Sequence, residues 1–171
     1  KASGALTPSV GTTVLSVQAF RQILGDFTAP SGNFRIGGTW SSAQTIFNHS
    51  AGVFSHNSGT VIFDPYANCF NVALFTIDVI PSTLFYNIIL NGNGSCGVLV
   101  ILATGVGDVA AAANDLTHTD GFLSGSFSFN NNLSIGAASD GGTGLITALG
   151  TGAQLYEVAS SAPRTCILAV N

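Results

Sequence analysis

The fold of this chain is decided by three apolar runs: Phe70-Asn-Val-Ala-Leu-Phe-Thr-Ile-Asp-Val-Ile80, Leu84-Phe-Tyr-Asn-Ile-Ile-Leu90 and Val98-Leu-Val-Ile-Leu102. They are rich in β-branched and aromatic residues, and a Pro81-Ser82 turn and the glycine-rich loop 91–97 separate them, which is typical of strands. The third run has no polar residue on either face, so we predict a central strand that is covered on both sides. The side chains expected to be almost fully buried are Phe75, Ile77, Phe85, Ile88, Leu99 and Ile101.

The composition is poor in charge for a protein of this size. Only 7% of the 171 residues are charged, against roughly a quarter in an ordinary domain, and Ser, Thr, Asn and Gly provide the polar surface instead. The net charge of −4, with four fixed cations, offers no basic patch for nucleic acid. No apolar run reaches the roughly 18 to 20 residues of a membrane span. We therefore expect one all-β domain with an extracellular location.

Three cysteines, Cys69, Cys96 and Cys166, leave the redox state open. One disulfide with a free or intermolecular thiol and three buried reduced thiols are both consistent with an odd number. No Cys-x-x-Cys pair or close Cys/His pair is present, so the spacing does not predict a zinc site.

The N-terminal residues differ from the rest of the chain. The run Thr13-Val-Leu-Ser-Val-Gln-Ala-Phe20 alternates apolar and polar residues, which predicts a half-buried strand, and Ala29-Pro-Ser-Gly32 ends the segment. We therefore divide the chain into an N-terminal strand segment, residues 1–30, and an all-β domain, residues 31–171. Such a strand can pair with its own domain or with a neighbouring subunit, and we expect residues 1 to about 25 to make intersubunit contacts.

A short phrase recurs along the chain. Its copies are Gly32-Asn-Phe-Arg-Ile-Gly37, Asn131-Asn-Leu-Ser-Ile-Gly136 and, more loosely, Asn114-Asp-Leu-Thr-His-Thr119. Leu116 aligns with Leu133 about 17 residues later, and Phe34 with Phe54 about 20 residues later, as in successive coils of a β-solenoid. A compact jelly roll or β-sandwich stays open as the alternative fold.

Several phrases resemble the degenerate repeats of large bacterial cell-surface β-solenoid proteins of the adhesin-like type. They are Gly32-Asn-Phe-Arg-Ile-Gly-Gly-Thr-Trp40, Phe47-Asn-His-Ser-Ala-Gly-Val-Phe-Ser-His-Asn-Ser-Gly-Thr-Val-Ile-Phe-Asp64 and Ser82-Thr-Leu-Phe-Tyr-Asn-Ile-Ile-Leu-Asn-Gly92. The likeness covers about half of the chain, and residues 1–30 and 64–80 depart from it. The resemblance implies stacked coils at a cell surface.

Two segments have the residues of a catalytic or cofactor motif without its surroundings. Gly105-Val-Gly-Asp-Val-Ala110 matches a dinucleotide-binding loop, but only residues 109–113 favour helix, so a tight turn is the better interpretation. Gly94-Ser-Cys-Gly97 offers a hydroxyl and a thiol, but the bases His49, His56 and His118 are distant in sequence. We therefore expect no catalytic residue and no enzymatic activity.

The acidic residues are scattered among turn-like sequences. Glycoside cleavage would require two of them to converge in a groove, and a structural calcium ion would require several oxygen ligands together. The carboxylates are Asp64, Asp78, Asp108, Asp115, Asp120, Asp140 and Glu157, of which Asp108, Asp115, Asp120 and Asp140 are the calcium candidates. No EF-hand loop or regular calcium-binding repeat is present, so we expect no cofactor, and a structural calcium ion at these four carboxylates stays open as the alternative. His49 and His56 are expected at exposed strand positions.

Two further patterns concern glycans. Asn48, Asn93 and Asn132 each begin an Asn-x-Ser acceptor pattern for glycosylation. Aromatic rings that could stack on a bound sugar are confined to Trp40, Tyr66, Tyr86 and Tyr156.

Together these features predict a structural building block of an extracellular surface layer or filament, a homo-oligomer or homopolymer that self-assembles through β-strand contacts. The alternatives are a viral capsid or fibre protein with a jelly roll, and a carbohydrate-binding module.

Overall fold

The computed structural model describes residues 13–69, 73–159 and 167–170. These residues form strands and turns and no helix, which confirms the all-β prediction. The strands are β1 (Val14–Val17), β2 (Phe20–Gln22), β3 (Asp26–Thr28), β4 (Asn33–Ile36), β5 (Thr39–Trp40), β6 (Gln44–His49), β7 (Val53–Ser55), β8 (Thr60–Phe63), β9 (Tyr66–Ala67), β10 (Ala73–Asp78), β11 (Leu84–Phe85), β12 (Asn87–Asn91), β13 (Asn93–Gly94), β14 (Val100–Thr104), β15 (Val109–Ala112), β16 (Leu116–Ser124), β17 (Ser126–Phe129), β18 (Leu133–Gly142), β19 (Leu145–Ala148), β20 (Tyr156–Val158) and β21 (Ile167–Val170).

Every strand pairing among the described residues is parallel. The chain leaves a sheet after each strand and later returns to it, and the strand formed on its return pairs with the earlier one. Asn87 lies beside Thr60 after 27 residues, whereas Asn132 lies beside Asp115 after 17 residues. Parallel partners cannot be joined by a tight hairpin, so the chain crosses the other sheets before it returns.

The strands lie on three faces, which the chain visits in the same order. Face 1 contains β1, β4, β8, β12, the first halves of β16 and β18, and β20, while face 2 contains β2, β6, β10, β14 and the second halves of β16 and β18. Face 3 contains the sheet β3–β7 and the five-stranded sheet β11-β15-β17-β19-β21. Strand β16 bends from face 1 to face 2 at Gly121, whose φ of 90° is in the left-handed region that glycine accepts readily.

An extra short strand separates faces 1 and 2 in three consecutive turns of the chain. Strands β5, β9 and β13 pair with one another as a three-stranded sheet, which we call the shelf. Strands β16 and β18 pass from face 1 to face 2 without such an insertion, and their pairing partners are correspondingly closer in sequence.

The interior is filled by alternate side chains of these strands, with many aromatic rings among them. In β4, Phe34 and Ile36 are buried while their neighbours are exposed. Phe20 stacks on Phe47 with ring centroids 5.1 Å apart, in register between β2 and β6. Such aromatic pairs contribute about 0.5–1.5 kcal/mol beyond the burial of their area.

The third apolar run overlaps strand β14, but the side chains that are buried there are not the predicted ones. In β14, Val100 and Leu102 are buried, whereas Ile101 and the preceding Leu99 are only half-buried, so the predicted burial of Leu99 and Ile101 was wrong. The prediction assumed cover on both sides of the strand. Because the strand is covered on its inner side, Val100 and Leu102 point into the core and Ile101 between them does not. The other predicted core residues are fully buried: Phe75, Ile77, Phe85 and Ile88.

Two further local predictions need correction. Residues 109–113, expected to favour helix, lie largely in strand β15, because pairing with β11 and β17 overrides the helix propensity of alanine. Leu116 pairs with Leu133 as predicted, but Phe34 lies beside Val61, not at the level of Phe54. The return distance in that region is longer because it includes the shelf.

The N-terminal strands pair within the chain. Strands β1, β2 and β3 pair with β4, β6 and β7, and the predicted alternation is present, since Leu15 and Val17 are half-buried against the core. Within the described residues, no further strand pairs with the opposite edges of β1, β2 and β3. Residues 1–12 lie outside the described residues, so the segment boundary at residue 30 and the intersubunit contacts stay predictions.

Candidate functional site: the cleft beside the shelf

A cleft of about 410 Å³ follows the corner between face 1 and the shelf. We call it the shelf cleft. Its lining residues are Ser16, Arg35, Gly37, Gly38, Thr39, Asp64, Tyr66, Asn91 and Asn93. They come from successive turns of the chain, because Thr39, Tyr66 and Asn93 occupy the same register position of β5, β9 and β13. The strand pairing therefore builds this cleft from residues that are far apart in sequence.

Glycines form the floor of the shelf cleft where the chain bends from β4 to the shelf. A Cβ atom at Gly37 would collide with the backbone carbonyl of Asp64, and one at Gly38 would lie 3.0 Å from the Gln18 side chain. A larger residue at Gly37 would push adjacent turns of the chain apart. The close approach of the backbones thus requires glycine and leaves the corner concave.

A row of polar side chains forms the wall on face 1. Asn91 Nδ2 donates a hydrogen bond of 2.8 Å to Asp64 Oδ1, and the Arg35 guanidinium forms an ion pair with the same carboxylate. The side chain of Arg35 is 56% exposed and that of Asp64 only 14%. An ion pair this exposed contributes little to stability, but it fixes a donor-rich guanidinium at the rim and neutralises the charge of the carboxylate.

The opposite wall consists of shelf side chains that point outward. The ring of Tyr66 is 37% exposed, with Thr39 and Asn93 beside it on the neighbouring strands. Within the described residues, the side chains of Thr39 and Asn93 make no hydrogen bond. This wall therefore presents one aromatic ring and two polar groups that are available to a ligand.

A second cleft of about 480 Å³ lies on face 2 near the N-terminal strands. It is lined by Ala19, Phe20, Arg21, Gln44, Thr45 and Asn48. The amide of Asn48 donates to Asp78, one turn further along. Among these described lining residues, none is an exposed aromatic ring comparable to Tyr66.

The sequence analysis predicted exposed positions for His49 and His56, but neither histidine is exposed. His49 is 1% exposed, and its Nδ1 lies 2.7 Å from the hydroxyl of Thr83. His118 is fully buried, with Nδ1 3.0 Å from Ser139 Oγ. His56 is half-buried and packs on Tyr86 with centroids 5.4 Å apart.

Burial is the main cause of the pKa shifts of His118, His49 and Asp120. It lowers the pKa of His118, against the weaker raising effects of the Gly121 and Asp120 backbones and the Asp140 charge. It also lowers the pKa of His49 and raises that of Asp120. The buried imidazoles are thus held in their neutral form.

The candidate nucleophile segment and two of the cysteines, Cys69 and Cys96, lie at the surface. Cys69 and Cys96 form a disulfide with Cα atoms 5.1 Å apart, between residues separated by 27 positions. The hydroxyl of Ser95 lies 3.2 Å from Cys69 Sγ. Cys166 lies outside the described residues, so its state stays a prediction. The described histidines bond to Thr83, Ser139 and Ser58, away from this segment.

Some carboxylates lie near one another: burial and, to a smaller extent, the nearby charge of Asp140 raise the pKa of Asp120, and Asp108 and Asp78 both approach Gly105. Asp108 accepts from the Val79 N–H, Asp115 from Asn131 and Asn132, and Asp120 from the Gly121 N–H. Asp140 and Glu157 are exposed. In residues 13–69, 73–159 and 167–170, no three His, Cys, Asp or Glu side chains come together in a group that could hold a metal ion.

The glycosylation candidates differ in accessibility. Asn93 is exposed on the shelf, whereas Asn48 donates to Asp78 and Asn132 bonds to Asp115.

Of the aromatic candidates, Trp40 packs against the core, and its buried Nε1–H has no partner among the described residues. Tyr86 is half-buried, and Tyr156 packs edge-on against Phe129. Tyr66 lines one of the two clefts described above, and the other three aromatic candidates line neither of them.

The sequence interpretation missed Arg35, Thr39 and Asn91 as cleft residues. The sequence did contain one signal for their placement. Cys69 and Cys96 are 27 residues apart, which is the same separation as that between the paired shelf residues Tyr66 and Asn93. Nothing in the described part of the chain is a helix long and apolar enough to cross a bilayer. Comparison with family models, curated proteins and solved structures finds no significant match to this chain.

Proposed function

We propose that the chain is a stack of coils of a parallel β-solenoid and acts as a structural building block of an extracellular layer or filament. The solenoid is supported by the repeated order of faces 1, 2 and 3 and by the parallel pairing of each strand with its successor. A jelly roll or β-sandwich is assembled mainly from antiparallel strands, and none of the described pairings is antiparallel.

The observation that carries the structural role is the open strand edge at each end of the stack. Within the described residues, β1, β2 and β3 at one end and β20 and β21 at the other pair on one side only. Apolar side chains are exposed beside these edges, among them Val14, Ile167 and Val170 at 60%, 63% and 69%. Two copies that met head to tail would extend the parallel ladders and bury these side chains.

The hydrogen bonds identify the backbone groups that such a contact would use. The N–H groups of Asn33 and Gly37 donate to the carbonyls of Thr13 and Val17, so the N–H of Val14 points away from β4. At the other end, the Ile167 N–H donates to Gly144, so the N–H of Leu168 points away from β19. Proline at position 14 or 168 removes an outward donor and spares the inner ladder.

The proposal is tested by light scattering after size-exclusion chromatography over a range of protein concentrations. We expect the mass of the wild-type protein to rise with concentration, whereas Val14→Pro and Leu168→Pro remain monomeric with an unchanged circular dichroism spectrum. The controls Val14→Ala and Leu168→Ala keep the backbone donors and should still assemble. A wild-type monomer at every concentration, or proline variants that assemble normally, would reject the mechanism. A closed particle of fixed mass would favour a capsid-like role.

A further inference from the structure

We infer that the shelf cleft is a binding site for a neutral oligosaccharide. The site differs from the strand edges proposed for assembly, so a single chain contains all of it. Its length follows from the shelf, which has three strands. At about 4.8 Å between neighbouring strands, the shelf spans roughly 10 Å, enough to hold several polar contacts along an extended ligand.

The chemistry of the walls selects a polyhydroxylated ligand. Hydroxyl groups both donate and accept hydrogen bonds, and the cleft offers groups of both kinds. Arg35 provides N–H donors, Asn91 keeps its amide oxygen after donating to Asp64, and the side chains of Thr39 and Asn93 make no hydrogen bond within the described residues. Both walls therefore offer donors as well as acceptors, which matches the hydroxyl groups of a sugar.

The charge of the cleft selects a neutral ligand. Among the described residues, Arg35 is the one cation that lines it, and its guanidinium is paired with Asp64. An anionic ligand would have to compete with that carboxylate for the guanidinium. A cationic ligand would have to displace the guanidinium from the carboxylate.

Tyr66 supplies the apolar contact. One face of a sugar ring is lined by C–H groups, which pack on an aromatic ring, and the phenol remains able to hydrogen-bond. The ring is held by a rigid backbone, since the Tyr66 N–H donates to the Gly38 carbonyl at 2.9 Å and the Asn93 N–H donates to the Pro65 carbonyl at 3.1 Å. A pre-organised wall reduces the entropy that binding must overcome.

The test uses monomeric protein from size-exclusion chromatography and a glycan array of neutral cello-, malto- and chito-oligosaccharides together with sulfated and carboxylated oligosaccharides. Saturation-transfer NMR and calorimetry then follow with the strongest binder. We expect Tyr66→Ala and Asn93→Ala each to weaken binding by roughly tenfold. Tyr156→Ala is the matched control, because Tyr156 is also 37% exposed but lies on β20, outside the cleft. It should bind like wild type.

Several outcomes would overturn the inference. One is the absence of binding to any neutral oligosaccharide on the array. Another is binding that survives both cleft substitutions, or that Tyr156→Ala reduces as much as Tyr66→Ala. Preference for sulfated or carboxylated oligosaccharides would reject the neutral ligand class. Because monomeric protein is used, a failure of assembly does not affect this result.

Discussion

His118 and Ser139 form a fully buried hydrogen bond, in which the serine hydroxyl donates to Nδ1 over 3.0 Å. His49 and Thr83 repeat this arrangement at 2.7 Å. In both, Nε2 faces the carbonyl of the glycine three residues later, and since a carbonyl only accepts, Nε2 carries the hydrogen. Each neutral imidazole is therefore satisfied at both nitrogens, whereas a second ring proton would displace the hydroxyl hydrogen.

This arrangement predicts a loss of stability in mild acid. Burial lowers the pKa of His118 and His49, so below the ordinary value of 6.5 the unfolded state binds protons that the folded state does not. The free energy of unfolding should be constant above that pH and fall below it, by at most about 1.4 kcal/mol per pH unit for each histidine. The raised pKa of Asp120 acts in the opposite direction, nearer its ordinary value of 3.8.

Urea unfolding between about pH 8 and pH 5 measures this slope. The double variant His49→Asn, His118→Asn should lose most of it, and His56→Asn should retain it as the matched control. Equal stability of the wild type at both ends of this pH range would contradict the assignment.

The register of β14 predicts unequal costs for neighbouring core substitutions. Leu102 is fully buried and Ile101 is half-buried. Leu102→Ala should lower the free energy of unfolding by about 2–5 kcal/mol, and Ile101→Ala by distinctly less. Urea denaturation of the two variants gives the comparison. Equal losses, or a larger loss for Ile101→Ala, would mean that the register is shifted by one residue.

The disulfide predicts a redox-dependent stability. It links Cys69 to Cys96 across one 27-residue turn of the chain. A closed loop of this length typically stabilises a fold by about 2–4 kcal/mol. Reduction, or Cys96→Ser, should lower the melting temperature, and peptide mapping of the oxidised protein should recover the 69–96 cross-link. Recovery of a Cys96–Cys166 link in its place would disprove this pairing.

The glycosylation patterns make a site-specific prediction. Asn93 is exposed, while the Asn48 and Asn132 side chains are half-buried and hydrogen-bonded. Expression through a eukaryotic secretory pathway should therefore modify Asn93 in preference to the other two, and glycopeptide mass spectrometry reads out the occupancy. Higher occupancy at Asn48 or Asn132 would contradict the burial of those side chains. A glycan on Asn93 would also occupy the shelf cleft.

The sequence was sufficient to predict that the chain forms strands, but it did not predict how all of these strands pair. The pairing of Leu116 with Leu133 followed from the recurring phrase, because both residues begin a strand of face 1 in short turns of the chain. The alignment of Phe34 with Phe54 failed because the shelf lengthens the turns in that region.

The cleft and the buried histidines depend on contacts between turns, which local patterns do not encode. His49 and Ser50 look like surface residues in sequence, and the burial of His49 becomes evident only once Thr83 is placed beside it. The pattern His-x-x-Gly at residues 49–52 and 118–121 was nevertheless visible, and both of its glycines have a φ of 90°. The same pattern also occurs at residues 56–59, where His56 is only half-buried and the glycine has no positive φ, so the pattern alone would not have identified the buried histidines.

Cryo-electron microscopy of the purified protein tests the central proposal most directly, namely that stacked parallel coils continue from one copy to the next. The account predicts rods that lengthen with protein concentration and have a repeat of about 4.8 Å along the rod axis, the distance between hydrogen-bonded strands. The Val14→Pro and Leu168→Pro variants should yield only single copies under the same conditions. Closed shells, trimers of fixed size, or rods whose strands run along the axis without that repeat would contradict it.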